Sequence, residues 1–483
     1  ETHRNFKFRK DQDSMFLQKF STLCLWNTTF GSMRARSSKA ATSATANPTN
    51  TVSPSTTLSA DSTIDYESFL SVRAKRLKPS AIRECIHIAR TPGMISLAGG
   101  MPNPSSFPID RMTAHLFGTN QDLFVSSAEM ITAQQYSGSF GLDDFREWLK
   151  AFQVHEHQPH DHDWDICVWN GSQQAMSVAF DCLLNEGDPF LVETPTYLGA
   201  LAALNQIQPD IQGLPCDSDG IIVDEFEKKL LSYDKNGEKK PRVLYTIPTG
   251  QNPSGVVTKM DRKRAIYELC CEHNLLILED DPYWHLQYHR HSSGNKSYFH
   301  LDRESRVLRF DSFSKVVAGG FRVGFVTGPS EIVDRMQLHQ QANTLHSSGL
   351  SQTILHCLLK KWGIDGFEKH IDNIVKFYES QRDLAVAAVQ KHLGDQVEFH
   401  APEAGMFLWI KCLNIDDTQK LINEGALKEK VLLIPGQSFM PNGMPSPYLR
   451  ASFSNASAEE LDEAFRRLAK LIHQYQIDHP SQN

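Results

Sequence analysis

The chain has 483 residues, 40% hydrophobic and 22% charged, with a formal net charge of −8. This is globular composition with length for about two to three domains, and the negative balance removes a general electrostatic case for nucleic-acid binding. No apolar run is long enough to cross a bilayer as a helix, and the nine scattered cysteines, without a Cys-x-x-Cys, read as reduced core residues.

Residues 1–60 stand apart. From Ser14 to Ala60 there is no Asp or Glu, while Lys19, Arg34, Arg36 and Lys39 are scattered among many Ser, Thr and Ala. An acid-free, basic, Ser-rich stretch is the composition of a mitochondrial transit peptide. The expectation is a disordered leader that directs import; the alternative is a Ser/Thr tail without an address on a cytoplasmic protein. Residues 61–114 are expected to form an N-terminal arm and part of a small domain. Asp65–Arg76 and Ala81–Ala89 read as short helices there, and the run from Ile95 to Pro104 as an apolar strand breaking into a Gly/Pro turn.

Residues 115–345 are expected to form a large domain. Gln134 to Gly141 is a glycine-rich loop and Leu142–Phe152 a helix. Apolar runs at Ile166–Trp169, Phe190–Glu193, Val243–Ile247, Leu275–Leu278, Val307–Phe310 and Val323–Thr327 alternate with helical stretches at Ser172–Leu184 and Lys259–Cys271. Continuous apolar strands separated by helices indicate a parallel sheet covered on both faces, the α/β class. Residues 346–483 change texture, with long helices at Leu350–Trp362 and Gly366–His392, strands at Gly405–Lys411, Val431–Ile434 and Tyr448–Phe453, and a final helix at Ala458–Tyr475. This reads as a smaller α+β domain.

In parallel α/β sheets, ligands bind outside the carboxyl ends of the strands. Here those ends carry Tyr197, Asn252, Asp280 with Tyr283, and Lys315, while Ser172 opens the helix after another strand. A lysine that acts as an amine must be able to lose its proton, and desolvation or a neighbouring cation lowers its pKa. Lys315 stands in Asp311-Ser-Phe-Ser-Lys315, with Arg322 seven residues on. Pyridoxal phosphate suits the set. Its aldehyde takes the lysine, a carboxylate at Asp280 holds its ring nitrogen protonated, and Tyr283 or Asn252 bonds its phenolic oxygen. Tyr197 stacks on the ring; the helix start at Ser172 and Gln173, the short donors Ser312 and Ser314, and Arg322 take the phosphate.

Asn252-Pro-Ser-Gly255, Glu279-Asp-Asp-Pro-Tyr283, Asp311-Ser-Phe-Ser-Lys315 with Arg322, and Tyr448-Leu-Arg-Ala-Ser-Phe453 resemble, in that order, the motifs of fold-type I, class I/II pyridoxal-phosphate aminotransferases. The resemblance runs from about Leu97 to Ser457. Within that class it is nearest to the kynurenine/2-aminoadipate aminotransferases and the fungal aromatic amino acid aminotransferases. It implies the fold-type I architecture: a large domain with a mostly parallel sheet and a smaller α+β domain. It implies Lys315 as Schiff-base lysine and proton shuttle. It places Asp280 on the pyridinium, Tyr283 and Asn252 on the phenolate oxygen, Tyr197 against the ring, and Ser172, Gln173, Ser312 and Arg322 on the phosphate. Arg450 would pair with the substrate α-carboxylate, Gly100 would line the substrate pocket, and Tyr136 would reach the cofactor of the other subunit of a homodimer. Amino acids and 2-oxo acids are the implied small-molecule partners, with 2-oxoglutarate as amino acceptor in a ping-pong transamination. A pyridoxal-phosphate lyase and a cofactor-binding regulator on the same fold are the alternatives. Trp284 stands where many relatives have a second tyrosine.

Three signals read as structural. His155 to His162 is taken as a solvated loop rather than a metal site, Lys228-Lys229 with Lys235 to Lys240 as a solvated insertion, and Pro441 to Pro447 as a surface turn.

Overall fold

The computed structural model describes residues 64–80, 91–95 and 97–479. The expected leader and the Ala81–Ala89 helix lie outside them. Strands β1 (Met112–His115) and β2 (Asp122–Val125) pair as an antiparallel hairpin. The main sheet contains β3 (Trp164–Trp169), β4 (Pro189–Thr194), β5 (Asp210–Asp217), β6 (Gly220–Ile221), β7 (Val243–Thr246), β8 (Leu276–Asp280), β9 (Val307–Ser312) and β10 (Gly324–Pro329), in the order β3-β10-β9-β8-β7-β4-β5-β6. The run from β9 through β8, β7 and β4 to β5 is parallel. β10 lies antiparallel between β3 and β9, and β6 closes the other edge antiparallel to β5. The sheet is therefore mostly parallel.

The apolar runs that read as strands are buried at every position of β7 and β8. Side chains alternate between faces along a strand, so each strand feeds two cores. Tyr245, Leu278 and Phe310 pack with the helices Ser172–Leu183 and Ser330–Asn343 on one face. Leu244, Ile277 and Val307 pack with the helices Val223–Asn236 and Met260–Glu272 on the other.

A second sheet, all antiparallel, has β11 (Val397–Phe399), β12 (Phe407–Cys412), β13 (Ile434–Pro435) and β14 (Tyr448–Ser452) in the order β11-β12-β14-β13. It shares a core with the long helical stretch Gly349–His392 and the final helix Ala458–Asp478. Gly363 interrupts that long stretch with φ 64° and ψ −178°, a conformation open essentially to glycine. The result is the pair of helices expected on either side of it. The final helix starts at a capping box, in which Ser457 accepts from Glu460 N and Glu460 accepts from Ser457 N.

Several expectations need correction. The described residues of the Ile95 run form no strand: Ile95 and Leu97 are 88% and 96% exposed, and residues 97–103 are irregular. An apolar run becomes a strand only where another backbone pairs with it. Asp65–Arg76 is not one helix but a 3-10 turn, Tyr66–Phe69, and a short helix, Val72–Arg76. Ser71 separates them in extended conformation, its side chain accepting from Ala74 N. The strand expected at Val431–Ile434 is reduced to Ile434–Pro435. Lys228 and Lys229 stand on the amphipathic helix Val223–Asn236, which buries Phe226, Leu230 and Tyr233. The His155–His162 run is not a loop throughout. Its first three residues end the helix Asp143–His157, and His157 is buried with Nδ1 3.0 Å from Ser297 Oγ. Among the described residues no cluster of three or more side chains could hold a metal ion.

Candidate active site

The parallel strands β4, β7, β8 and β9 deliver their carboxyl ends to one edge of the sheet. β10 runs the other way, so it brings its start to that edge. Gly324, at the start of β10, pairs with both Ser312 at the end of β9 and Trp169 at the end of β3. This is why Arg322, which precedes a strand, meets residues that follow strands.

A cavity of about 730 Å³ opens at this edge. Ser172, Gln173, Tyr197, Asn252, Asp280, Tyr283, Ser312, Lys315, Arg322 and Arg450 all line it. The structure does not bring Tyr136 or Gly100 to it. Tyr136 is half-exposed with its ring edge-on to His346, and Gly100 lies exposed in the arm.

The electrostatics are one-sided. Among the described residues, Lys315, Arg322 and Arg450 line the cavity against a single carboxylate, Asp280, and none of the three cations has a carboxylate partner. Burial, with the Arg450 and Arg322 charges behind it, lowers the Lys315 pKa, so its amine is more easily freed. Arg450 Nη1 donates to Asn252 Oδ1 at 2.8 Å, and its Nε is buried with no acceptor. Phe407 and Phe439 flank the guanidinium at 4.4 and 5.0 Å. Burial raises the Asp280 carboxyl to about 6, opposed by a hydrogen bond from Tyr245.

The phosphate end is a cradle. Gly171 (φ 87°) turns the chain from β3 into the helix Ser172–Leu183. A Cβ on Gly171 would come within 2.4 Å of Arg322 Nη2, and one on Gly324 within 2.5 Å of Ser172 N. Only glycine at both positions lets the arginine and the helix start approach each other. Arg322 is itself left-handed (φ 52°, ψ 47°), held by bonds from its guanidinium to Gly319 O and Asn170 O. Unpaired donors at a helix start, a guanidinium and a desolvated amine suit an anion joined to an aldehyde. A carboxylate beside them suits a protonated ring nitrogen, so the donor set fits pyridoxal phosphate.

Sequence reasoning missed the wall contributed by the second sheet. Met406, Phe407, Ile434, Ser452 and Ser454 also line the cavity. The pairing of Ile434 with Arg450 puts an apolar side chain beside the guanidinium. It also missed Glu193, buried at the end of β4, which accepts from Thr246 Oγ1, Ile247 N and Gln251 Nε2 and so clamps the turn that carries Asn252. Trp284 does not line the cavity; its Nε1 donates to Glu156 and its ring lies 5.3 Å from the Arg309 guanidinium.

Residues 117–468 match the family model for aminotransferase class I and II. The kynurenine/alpha-aminoadipate aminotransferase, mitochondrial, of Bos taurus is 39% identical over 423 residues, covering 84% of this chain and 99% of its own. An aromatic amino acid aminotransferase of Dictyostelium discoideum is 32% identical, covering 85% and 88%. Among solved structures, the kynurenine aminotransferase of Pyrococcus horikoshii in complex with PMP superposes with a TM-score of 0.67 at 32% identity, covering 85% of this chain and 98% of that one. The chain belongs to the class I and II aminotransferases, with pyridoxal phosphate as its cofactor.

Proposed function

We propose that the chain moves the amino group of 2-aminoadipate, kynurenine or aromatic amino acids to 2-oxoglutarate in a ping-pong sequence. The observation that carries this reading is Arg450, paired with Asn252 at 2.8 Å and facing the same cavity as Lys315, which has no carboxylate partner among the described residues. Bound pyridoxal phosphate supplies an aldehyde and an electron-accepting ring. Ser172, Gln173, Ser312 and Arg322 hold its phosphate, Asp280 its ring nitrogen, Tyr283 and Asn252 its phenolic oxygen, and Tyr197 packs on its face. The planar guanidinium of Arg450 takes the α-carboxylate of each substrate in turn with two parallel bonds. Lys315 Nζ would take the proton from the α-carbon of the amino acid and hold it for return, acting as the general base and then the general acid of the transfer. Met406, Phe407 and Ile434 offer the substrate side chain an apolar wall, with Ser452 and Ser454 as polar points. The names of the Bos taurus and Dictyostelium discoideum relatives support this donor class.

The same reading extends to organisation. Residues 115–345 form the large cofactor domain, and 61–114 with 346–483 the arm and small domain. The working unit is a C2 homodimer in which Tyr136 and Gly100 complete a site with the second copy. The exposed arm residues Ile95 and Leu97, with Phe117 and Phe124 at the start of the large domain, support burial against that copy. Residues 1–60 act as a mitochondrial leader, in keeping with the mitochondrial relatives.

The test mixes cofactor-loaded protein with one donor at a time, without acceptor: 2-aminoadipate, kynurenine, phenylalanine, tyrosine, glutamate and aspartate. Loss of the visible cofactor band, with pyridoxamine phosphate and the 2-oxo acid formed in wild type but not in Lys315→Ala, ranks the donors. If none of these donors converts the cofactor, the proposed donor class is wrong.

A further inference from the structure

Tyr245 sits in the middle of β7 and is fully buried. It pairs with Leu278 of β8, and Asp280 lies two residues further on the same face. The Tyr245 ring packs edge-on to Phe180, at 5.6 Å, from the helix that starts at Ser172. With the ring fixed by that packing, its hydroxyl reaches Asp280 Oδ2 at 2.7 Å. No other side chain donates to Asp280 among the described residues, and its second oxygen is left for a donor in the cavity.

We propose that Tyr245 is a positioning residue for amino transfer: its hydroxyl holds Asp280 by one oxygen and keeps it a weak base towards the cofactor's ring nitrogen. The inference rests on the reading that Asp280 meets that nitrogen. Several groups face Asp280. Asp311 on β9 raises its pKa and Arg309 on β9 lowers it. Glu193 from β4, Tyr197 beyond β4 and Tyr283 on its own segment feel its charge. Among the described residues none of these donates a hydrogen to the carboxylate, whereas Tyr245 does. Burial and the Asp280 charge push the Tyr245 phenol well above its ordinary pKa of 10.0, so it stays a donor at any working pH. A hydrogen bond to the charged form lowers the basicity of a carboxylate. Without that bond, Asp280 would compete for the ring proton and the ring would draw electrons less strongly.

The experiment uses full-length, cofactor-loaded protein: wild type, Tyr245→Phe, Asp280→Asn and the double variant. The expected result for Tyr245→Phe is a rise of about half to one pH unit in the titration of the visible band, with cofactor release about tenfold faster, the size of one charge-assisted hydrogen bond. Turnover falls several-fold while KM for the donor changes less than about twofold. In the Asp280→Asn background, Tyr245→Phe adds nothing to the release rate. A purely structural tyrosine would lower the melting temperature and leave the titration where it was. That outcome, or full additivity in the cycle, overturns the proposal. Should Tyr245→Phe fail to fold, 3-fluorotyrosine at position 245 replaces it. Its more acidic hydroxyl is a stronger donor, so the titration must move down instead, and no movement again refutes the idea. The underlying reading fails separately: it is lost if Asp280→Asn leaves cofactor release unchanged.

Discussion

The two faces of β8 and β9 carry charge in opposite ways. On one face, Arg309 is fully buried and meets Glu279 at 3.2 Å, Asp281 at 3.1 Å and Asp311 at 2.9 Å. Gln153 donates to Asp311, and Lys263, also buried, donates to Asn295 Oδ1 and Lys296 O. On the other side, where Asp280 opens onto the strand-end cavity, Lys315, Arg322 and Arg450 surround it with Asp280 as the only carboxylate in its lining among the described residues. The residue types are the same; the difference is neutralisation. A buried cation among carboxylates is spent on holding strand ends together, and here it anchors Asp281, next to Asp280, to the strand that leads to Lys315. Cations left without carboxylates are a standing demand for an anionic ligand.

That contrast can be broken or sharpened by substitution. Lys315→Ala should leave the fold intact, since among the described residues the side chain makes no hydrogen bond or ion pair, yet lower turnover by about 10³-fold or more through loss of the proton carrier; single-turnover spectra give the number. Arg309→Met should do the reverse. Leaving three buried carboxylates without their cation is expected to cost about 3–5 kcal/mol of stability in cofactor-free protein, read by urea unfolding. Arg450→Met should reduce kcat/KM for every amino donor by about 10²-fold, the loss of a bidentate charged contact, with little change in cofactor-free stability. Arg450→Lys should recover only part of it, because an ammonium lacks the planar fork. If Arg450→Met unfolds the protein while Arg309→Met does not, the assignment of the two faces is wrong.

The smallest effect concerns Glu193. Burial raises its carboxyl to about 7, against the bonds from Thr246, Gln251 and Ile247. A carboxyl with a raised folded-state pKa contributes stability below its unfolded value, and that contribution is lost as pH rises through the folded value. Wild type should therefore lose stability relative to Glu193→Gln between about pH 4.5 and 7, by about 1–3 kcal/mol. Paired melting curves across that range test it, and a constant difference would refute it.

Much of this was legible in the chain. The apolar runs at Val243, Leu275 and Val307 gave their strands because a strand buried on both faces needs no alternation. The turns after them carried Asn252, Asp280 and Lys315 because polar residues at strand ends have no core to fill. The Ile95 run misled because its apolar residues have no pairing strand and lie exposed in this chain. The His155–His162 run misled because polar residues that close a helix look, in sequence, like a loop.

The sequence by itself determined which residue types stand at the strand ends, and with them the family and the cofactor. Only the tertiary structure decided the inserted antiparallel β10, the second-sheet wall around Arg450, the Tyr245–Asp280 bond, and which arginine is neutralised. Those features join residues far apart in the chain, 35 positions for Tyr245 and Asp280 and 198 for Asn252 and Arg450. Local periodicity encodes the face on which a side chain stands, but contact across strands depends on strand order and register, which only the assembled sheet supplies.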